Sequence, residues 1–440
     1  MTYRECLDYL YNSLPVYQRI GAAAYKADLN NTLALMHHLG NPENKFQSIH
    51  VAGTNGKGSV SHNLASIFHE AGYKTGLYTS PHLKDFRERI RINGKKINRK
   101  FVIDFTQTHQ SFFEQLKPSF FEMTVAMAFL YFAQQKVDIA IIEVGMGGRL
   151  DSTNVISPQL SIITNISYDH TQFLGDSLCS IAKEKAGIIK ENTPVIIGET
   201  HLETENIFKE TAKEKHSEIT FADQVFDLEE EKTVLENNQF SMYFKAKNKD
   251  AKNYNHYITP LAGKYQLHNF KTILAACQCI GTNILTEKII QKGIENCIKN
   301  TGLMGRWQIL QTHPLSIADT GHNKAGISLI CKQLKQMSYD KLHFVISMVN
   351  DKDAASVLSL LPKDAVYYFS KANIPRGLDA GILYSEAKKL GLQGKTYRSI
   401  KGAFRAAKRN AKPNDMIFIG GSTFTVAEVD IRYKILDIRF

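Results

Sequence analysis

Between Ile49 and Ala71 the chain reads IHVAGTNGKGSVSHNLASIFHEA, and this stretch restricts the available folds more than any other. Ile49 to Ala52 is a short apolar run with the look of a buried strand. A glycine-rich turn follows, and then Val60, Leu64, Ile67, Phe68 and Ala71 recur at helical spacing until Gly72 ends the segment. A further strand at Lys74 to Tyr78 completes a strand, helix, strand unit of the kind that builds parallel sheets. In the turn itself, backbone N–H groups converge on the positive end of the helix. Glycines let phosphate oxygens approach, and Lys57 can neutralise the outer phosphates. Gly53 to Ser59 is therefore a candidate phosphate cradle. It departs from the general G-x-x-x-x-G-K-[ST] pattern, since position 51 is Val and Gly58 separates Lys57 from Ser59. The competing reading, a glycine turn with a solvated lysine, does not account for the strand–turn–helix setting.

Downstream, helical patterns at Val102 to Leu116 and Met123 to Gln135 precede strands at Asp138 to Val144 and Leu160 to Thr164. Thr233 to Leu235 and Phe240 to Phe244 read as two strands around the turn 236–239, and the charged run Lys245 to Lys252 as a solvated loop. A helix follows around His268 to Cys279. Residues 299–305, KNTGLMG, have the composition of an interdomain connection. A fresh alternation then begins, with strands at Leu315 to Ala318, Leu342 to Met348, Ala365 to Ser370 and Met416 to Ile419. The expected fold is α/β: an N-terminal P-loop-type parallel-sheet domain with a β-rich extension, residues 1–300, and a smaller C-terminal Rossmann-like α/β domain, residues 301–440.

The length of 440 residues suits two or three domains. With 43% hydrophobic and 22% charged residues the composition is that of a soluble globular protein. The first twenty residues carry no signal-peptide core, and the longest apolar runs fall well short of the roughly 20 residues that span a bilayer. A cytoplasmic protein is expected, with no membrane partner. Six scattered cysteines form no C-x-x-C pair and read as reduced core thiols. The net charge of +11 favours anionic partners, although a basic solvated surface explains it equally well.

Three strand ends supply a second constellation: Tyr78-Thr79-Ser80-Pro81-His82, Ile141-Ile142-Glu143-Val144-Gly145 and Asn165-Ile166-Ser167-Tyr168-Asp169-His170. The carboxyl ends of parallel strands share one edge, where ligands bind, so Ser80, Glu143 and His170 can converge there. Such oxygen and nitrogen ligands suit Mg²⁺ carrying a nucleotide. Singly, Ser80 would serve as a helix cap, Glu143 as a partner of Arg149, and His170 as a loop histidine. Gly147-Gly148, next to Glu143, marks a tight turn that can also line a site.

The segments GTNGKGS (53–59), YTSPHL (78–83), EVGMGGRLDSTN (143–154) and EKAGIIK (184–190) together resemble folylpolyglutamate synthase/dihydrofolate synthase, of the Mur ligase superfamily. The resemblance continues in order through Gly305-Arg306, Asp319 to Asn323, Asp351-Lys352-Asp353 and Gly421-Ser422, covering nearly the whole chain. It implies that Thr54, Asn55, Gly56, Lys57, Gly58 and Ser59 hold the ATP phosphates. Ser80, Glu143 and His170 would be magnesium ligands, and Lys185 a carbamylated lysine helping to hold a second Mg²⁺. From spacing alone, Lys185 is an exposed helix lysine. Asn269, Arg306 and Asp319 would contact ATP, and His322 would line the phosphate or amino-acid site. Thr320, Gly321 and Lys324 depart from the usual D-G-A-H-N-P. A pterin-acid pocket would comprise Ser119, Phe120, Phe121 and Glu122 together with Leu150, Asp151 and Ser152, with Thr124 nearby. An aromatic ring and a carboxylate suit a pterin, although Phe120 and Phe121 also read as core residues.

The implied reaction is ATP-dependent amide formation between a pterin acid or folate and L-glutamate through an acyl phosphate. Lys57, Lys185, Asp319 and His322 are the catalytic candidates. The second domain closing over the first would shield that intermediate from water. The implied partners are ATP, dihydropteroate, folates and L-glutamate, with no nucleic acid, for a monomer. Asp151 and the basic, aromatic stretch Tyr17 to Tyr25 favour an enzyme with both synthase activities. A Mur ligase extending a UDP-muramyl acid is the nearest alternative. A nucleic-acid binder lacks a recognition motif, and a simple P-loop kinase leaves the second domain's motifs and Lys185 unexplained.

Overall fold

The protein, represented by a computed structural model, is described over residues 1–12, 28–350 and 353–429. The stretch Tyr17 to Tyr25, and Asp351 and Lys352, lie outside the described residues. The chain forms two compact units. One comprises Met1–Lys232, Met242–Pro260 and Tyr265–Leu303, the other Thr233–Ser241, Leu261–Lys264 and Met304–Phe440.

The first unit is built on strands β1 (Gln47–Ala52), β2 (Thr75–Tyr78), β3 (Ile90–Ile92), β4 (Lys95–Lys96), β5 (Ile139–Glu143), β6 (Leu160–Ile163), β7 (Val195–Ile197) and β8 (Ile219–Phe221). They form one sheet in the order β4-β3-β2-β5-β1-β6-β7-β8. β3 and β4 turn back antiparallel, and the other six strands run parallel. β1 lies between β5 and β6, with Val51 opposite Glu143 on one side and Ile162 on the other. The chain therefore leaves β1 at the same edge as it leaves β5 and β6, which is where a ligand site is expected.

Strands covered on both faces must be apolar throughout. Ile49, Val51, Ile139, Ile141, Ile142, Ile162 and Ile163 are all at most 1% exposed, each contributing roughly 1.5–3 kcal/mol by burial. The helix Phe120–Gln134 is apolar nearly all round and shares a core with Tyr78, Ala140 and Ile142. That is the behaviour of a helix with no solvent face.

Strands β9 (Phe226–Glu236), β10 (Gln239–Asn248) and β11 (Asn255–Thr259) form a separate sheet in the order β11-β10-β9. Asn237 and Asn238, at φ 50° and 60°, make the turn, a left-handed pair suited to a two-residue hairpin. Residues 245–248 belong to β10 rather than to a solvated loop. The alternation that buries Phe240, Met242, Phe244 and Ala246 puts Lys245 and Lys247 on the opposite face. There Lys245 pairs with Glu229 at 2.9 Å. β11 was not anticipated, because only Tyr257 and Thr259 of its five residues turn inward.

The second unit holds β12 (Gln308–Thr312), β13 (Leu315–Ala318), β14 (Leu342–Ile346), β15 (Val366–Ser370), β16 (Gln393–Tyr397) and β17 (Met416–Gly420). Their order is β12-β13-β17-β14-β15-β16, with β12 antiparallel and the rest parallel. All six cysteines are free thiols. Four are buried, but Cys179 is half-buried and Cys279 exposed, so the core-thiol expectation fails for those two. Among the described residues no helix is long and apolar enough to cross a membrane.

Candidate active site

The turn after β1 is shaped by two glycines that have no room for a side chain. Gly53 has φ +140°, and a Cβ there would sit 1.9 Å from Thr164 Oγ1; Gly56 has φ +86°, and a Cβ would sit 2.1 Å from Asn269 Oδ1. Gly56 caps the helix Lys57–Glu70 without a side-chain bond, leaving the first turn to an anion. The loop is tied to the chain after β6. Thr54 N–H donates to Asn165 O, Asn55 N–H to Asn165 Oδ1 at 3.0 Å, and Thr54 Oγ1 to Ser167 O at 3.1 Å. On its other side Gln266 Nε2 donates to Ser59 Oγ at 3.2 Å, and Asn269 Nδ2 to Gln266 Oε1 at 2.7 Å. This is a prepared cradle rather than a slack turn. Lys57 Nζ rests on the carbonyls of Gly53, at 3.0 Å, and Thr54, at 3.2 Å.

Lys185 meets it there. On the helix Leu178–Ala186, Lys185 is 3% exposed, and its Nζ donates to the same Gly53 carbonyl at 3.0 Å. Burial pushes its ammonium down to about 7 with help from the Lys57 charge, while Asp169, Asp151 and Glu184 pull the other way. The surface position inferred from spacing is wrong because the helix docks on Gly148. A Cβ there would meet Glu184 O at 2.8 Å and Lys185 Cα at 3.1 Å. The guanidinium of Arg149 pairs with Glu184 at 2.8 Å.

Ser80 N–H donates to Glu143 Oε2 at 2.9 Å, and Glu143 is 4% exposed at the end of β5. These two strand ends thus meet. His170 stands in the left-handed region at φ 50°, before the short helix Thr171–Leu174, with Nε2 3.9 Å from Asp169 Oδ1. Among the described residues no three His, Cys, Asp or Glu side chains gather as a metal cage. A buried carboxylate at the sheet edge where the phosphate cradle also begins still fits Mg²⁺, which takes few protein ligands and completes its shell with phosphates and water.

The residues of the expected pterin pocket divide. Ser119 and Glu122 form a reciprocal capping box at the start of the helix Phe120–Gln134, so their polar atoms serve the helix. Phe120 is 4% exposed and stacks on Tyr11 with ring centroids 5.1 Å apart. The Phe121 ring lies against Gly145, where a Cβ would come within 2.3 Å of it and 3.1 Å of Asp151 Oδ2. Phe121, Gly145 and Asp151 are therefore brought together. Asp151 accepts Met146 N–H at 2.8 Å and caps the 3₁₀ turn Ser152–Val155. Leu150 lies just ahead of it in the turn, and Thr124 Oγ1 is 3.2 Å from the Tyr78 hydroxyl.

In the second unit, Asp319 follows β13 and is 2% exposed. Its two oxygens accept Trp307 N–H and Gly321 N–H, each at 2.8 Å. Arg306 Nη1 bonds the Thr320 hydroxyl and, at 3.2 Å, the Gly305 carbonyl. Thr320, one of the departures from the usual motif, thus carries the arginine. His322 Nδ1 is 3.1 Å from Thr320 O, and Asn323 caps the helix Lys324–Leu334.

Sequence reasoning gave no role at the cradle to Gln266, nor to Thr164 and Asn165 at the end of β6, which hold the loop from outside. It also passed over Arg89, whose Nε donates to His82 Nδ1 at 2.8 Å and whose guanidinium lies 5.2 Å from the Phe120 ring centroid. No spacing rule marks them, since they lie far from the loop in sequence.

Residues 51–279 match the Mur ligase middle domain, and residues 305–423 the Mur ligase, glutamate ligase domain. The chain is 31% identical to the dihydrofolate synthase/folylpolyglutamate synthase of Bacillus subtilis, over 93% of this chain and 95% of that one. It is 31% identical over 97% of its length to a probable bifunctional folylpolyglutamate synthase/dihydropteroate synthase of Haloferax volcanii, and spans about half the length of that relative. Escherichia coli FolC, solved in complex with DHPP and ADP, superimposes with a TM-score of 0.82 at 30% identity, covering 98% of this chain and 97% of that one. The bifunctional enzyme of Yersinia pestis, solved with AMPPNP and Mn ion, gives 0.79 at 27% identity with the same coverages.

Proposed function

The chain belongs to the Mur ligase family, in its folylpolyglutamate synthase/dihydrofolate synthase branch, and from that premise we propose that it joins L-glutamate to dihydropteroate and to folate polyglutamates at the expense of ATP. A carboxylate oxygen of the acceptor attacks the γ-phosphorus of ATP, releasing ADP and leaving an acyl phosphate. The amino group of glutamate then attacks the acyl carbon, and phosphate departs with the bonding pair as the amine gives up a proton.

The protein's task in the first step is positioning and charge stabilisation. The backbone N–H groups of the 53–59 turn receive the phosphates, and Lys57 turns from its own loop's carbonyls to their oxygens. Ser80 and Glu143, joined by His170, would hold a divalent cation, which supplies electrostatic stabilisation of the transferring phosphoryl group. Asn269, Arg306 and Asp319 serve the nucleotide, and His322 the phosphate or the amino acid. Phe121 offers the pterin acid a ring and Asp151 offers a carboxylate, with Leu150 and Ser152 flanking it.

One observation carries the reading: Lys57 and Lys185 meet on the Gly53 carbonyl, the second buried and pulled down to about 7. A simple phosphate loop has no use for that second amine. As a neutral amine, Lys185 can attack CO₂ and lose a proton to form a carbamate. The product is an anion that keeps one N–H and can help hold a second cation.

The test is ADP release with Mg-ATP and L-glutamate, supplying dihydropteroate, tetrahydrofolate, a UDP-muramyl acid or no acceptor. Turnover with both pterin acids is expected. Turnover with tetrahydrofolate alone restricts the enzyme to polyglutamylation. Turnover only with the muramyl acid, or without any acceptor, overturns the proposal.

A further inference from the structure

Strand β1 runs through the middle of its sheet, and between Ser48 and Ala52 its other side chains are aliphatic or a small hydroxyl. His50 is the anomaly. It is fully buried, three residues ahead of the phosphate loop, and its Nε2 lies 2.8 Å from Thr153 Oγ1. Thr153, also fully buried, donates that hydroxyl to Asp151 Oδ1 at 2.6 Å, and its backbone N–H reaches the same oxygen at 3.0 Å. A hydroxyl has one proton to give. Asp151 already accepts backbone N–H groups on both oxygens, the arrangement of a carboxylate, so the Thr153 proton goes to it and a lone pair faces the imidazole. His50 is thereby the Nε2–H tautomer, and its Nδ1 has no hydrogen-bond partner among the described residues.

An imidazole with one nitrogen unpaired among the described residues, in a strand whose neighbours Ile49, Val51 and Ala52 are fully buried, is a costly choice where valine or isoleucine would pack. Its contact with Thr153 leads towards Asp151, whose Oδ2 lies beside Gly145 and the Phe121 ring. We infer that His50 and Thr153 form a buried relay that fixes the Asp151 carboxylate for the pterin acid, making both positioning residues of the ligase. Being wholly buried, His50 cannot touch a substrate itself. Its donated N–H keeps the Thr153 hydroxyl turned towards Asp151. The inference rests on Asp151 being a substrate-binding residue.

The experiment measures kcat and KM for the pterin acid and for ATP, with melting temperature, in His50→Leu, His50→Gln, Thr153→Val, Asp151→Asn and the double variant His50→Leu/Thr153→Val. For His50→Leu we expect the pterin-acid KM to rise about fivefold or more and the ATP KM to stay within about twofold. Glutamine, whose amide N–H reaches the same hydroxyl, should recover most of the loss. The double variant should be no worse than Thr153→Val alone. The relay is overturned if His50→Leu moves both KM values equally, if glutamine is no better than leucine, or if the two losses add. Should His50→Leu not fold, Thr153→Val and His50→Gln decide by the same readout. An unchanged pterin-acid KM in Asp151→Asn removes instead the reading from which the relay starts. A raised value there with an unchanged one in Thr153→Val removes only the relay.

Discussion

Alanine at Gly56 should cripple nucleotide binding through a collision that a second substitution can relieve. The added Cβ would lie 2.1 Å from Asn269 Oδ1 and 3.1 Å from its Cγ, at a residue whose φ is +86°. Holding alanine in the left-handed region costs about 1–2 kcal/mol. To make room, the Asn269 amide must leave Gln266, which it meets at 2.7 Å and which in turn holds Ser59. Breaking a buried bond of this kind costs about 1–3 kcal/mol more. If the whole penalty of about 2–5 kcal/mol falls on the binding-competent loop, Mg-ATP affinity drops by about 30- to 5,000-fold. Replacing Asn269 by alanine weakens binding for its own reasons but takes the obstacle away. In that background Gly56→Ala should cost only the backbone strain, about 5- to 30-fold. Titration calorimetry of Mg-ATP on the wild type, both single variants and the double variant gives the cycle directly. If Gly56→Ala costs the same with and without Asn269, the collision is not what makes this glycine necessary. Gly53→Ala should show no such relief from trimming a side chain, because its Cβ would also stand 3.0 Å from the Thr164 backbone nitrogen.

Lys185→Met should lower acceptor-dependent ADP release by on the order of 100-fold. The variant should melt no lower than wild type, since a buried amine crowded by Lys57 is exchanged for an apolar side chain; measuring both on one preparation separates lost chemistry from lost folding. Asp319→Ala strips the acceptor from Trp307 N–H and Gly321 N–H, for a loss of about 2–4 kcal/mol in the second unit. As Trp307 is the single tryptophan, its emission reports that unit in urea titrations. Turnover should fall as well, and unchanged turnover would deny Asp319 a role. In the first unit, burial pushes His50 down to about 3, against about 6.5 in the unfolded chain. The folded value is the lower, so the unfolded chain takes the proton first: nothing is lost above pH 6.5, and stability drains as pH falls towards 3, by at most about 4–5 kcal/mol. Urea titrations between pH 7 and 4 should give a shallower loss in His50→Gln, and equal slopes refute the assignment.

The phosphate turn was legible because its chemistry is local: the strand, the glycines, Lys57 and the helix stripe lie within 25 residues. Strand ends could also be placed on one edge, because a parallel sheet puts them there whatever the strand order. Lys185 was not legible from its surroundings. Its helix carries lysines at 183 and 185, and only docking on Gly148 decides which one is buried. Motif resemblance singled it out where periodicity could not. The extent of β10 was missed for the opposite reason, since a run of lysines suggests a solvated loop until the alternation beneath it is followed to Ala246.

The same distinction explains why the cradle needs residues that no phosphate-loop pattern contains. A turn with two glycines at positive φ is free to collapse or splay in an isolated chain. Here Asn165 and Thr164 hold one flank and Gln266 with Asn269 the other. The partners are supplied by the chain after β6 and by the helix Gln266–Ile280, more than 100 and more than 200 residues away from the loop. A pattern in sequence can therefore specify which atoms face a phosphate, but not how firmly they are held. If firmness of that kind makes the cradle ready for ATP, substitutions at Gln266 should weaken Mg-ATP binding as a proposed contact residue does, although Gln266 is fully buried and bonds to Ser59 and Asn269.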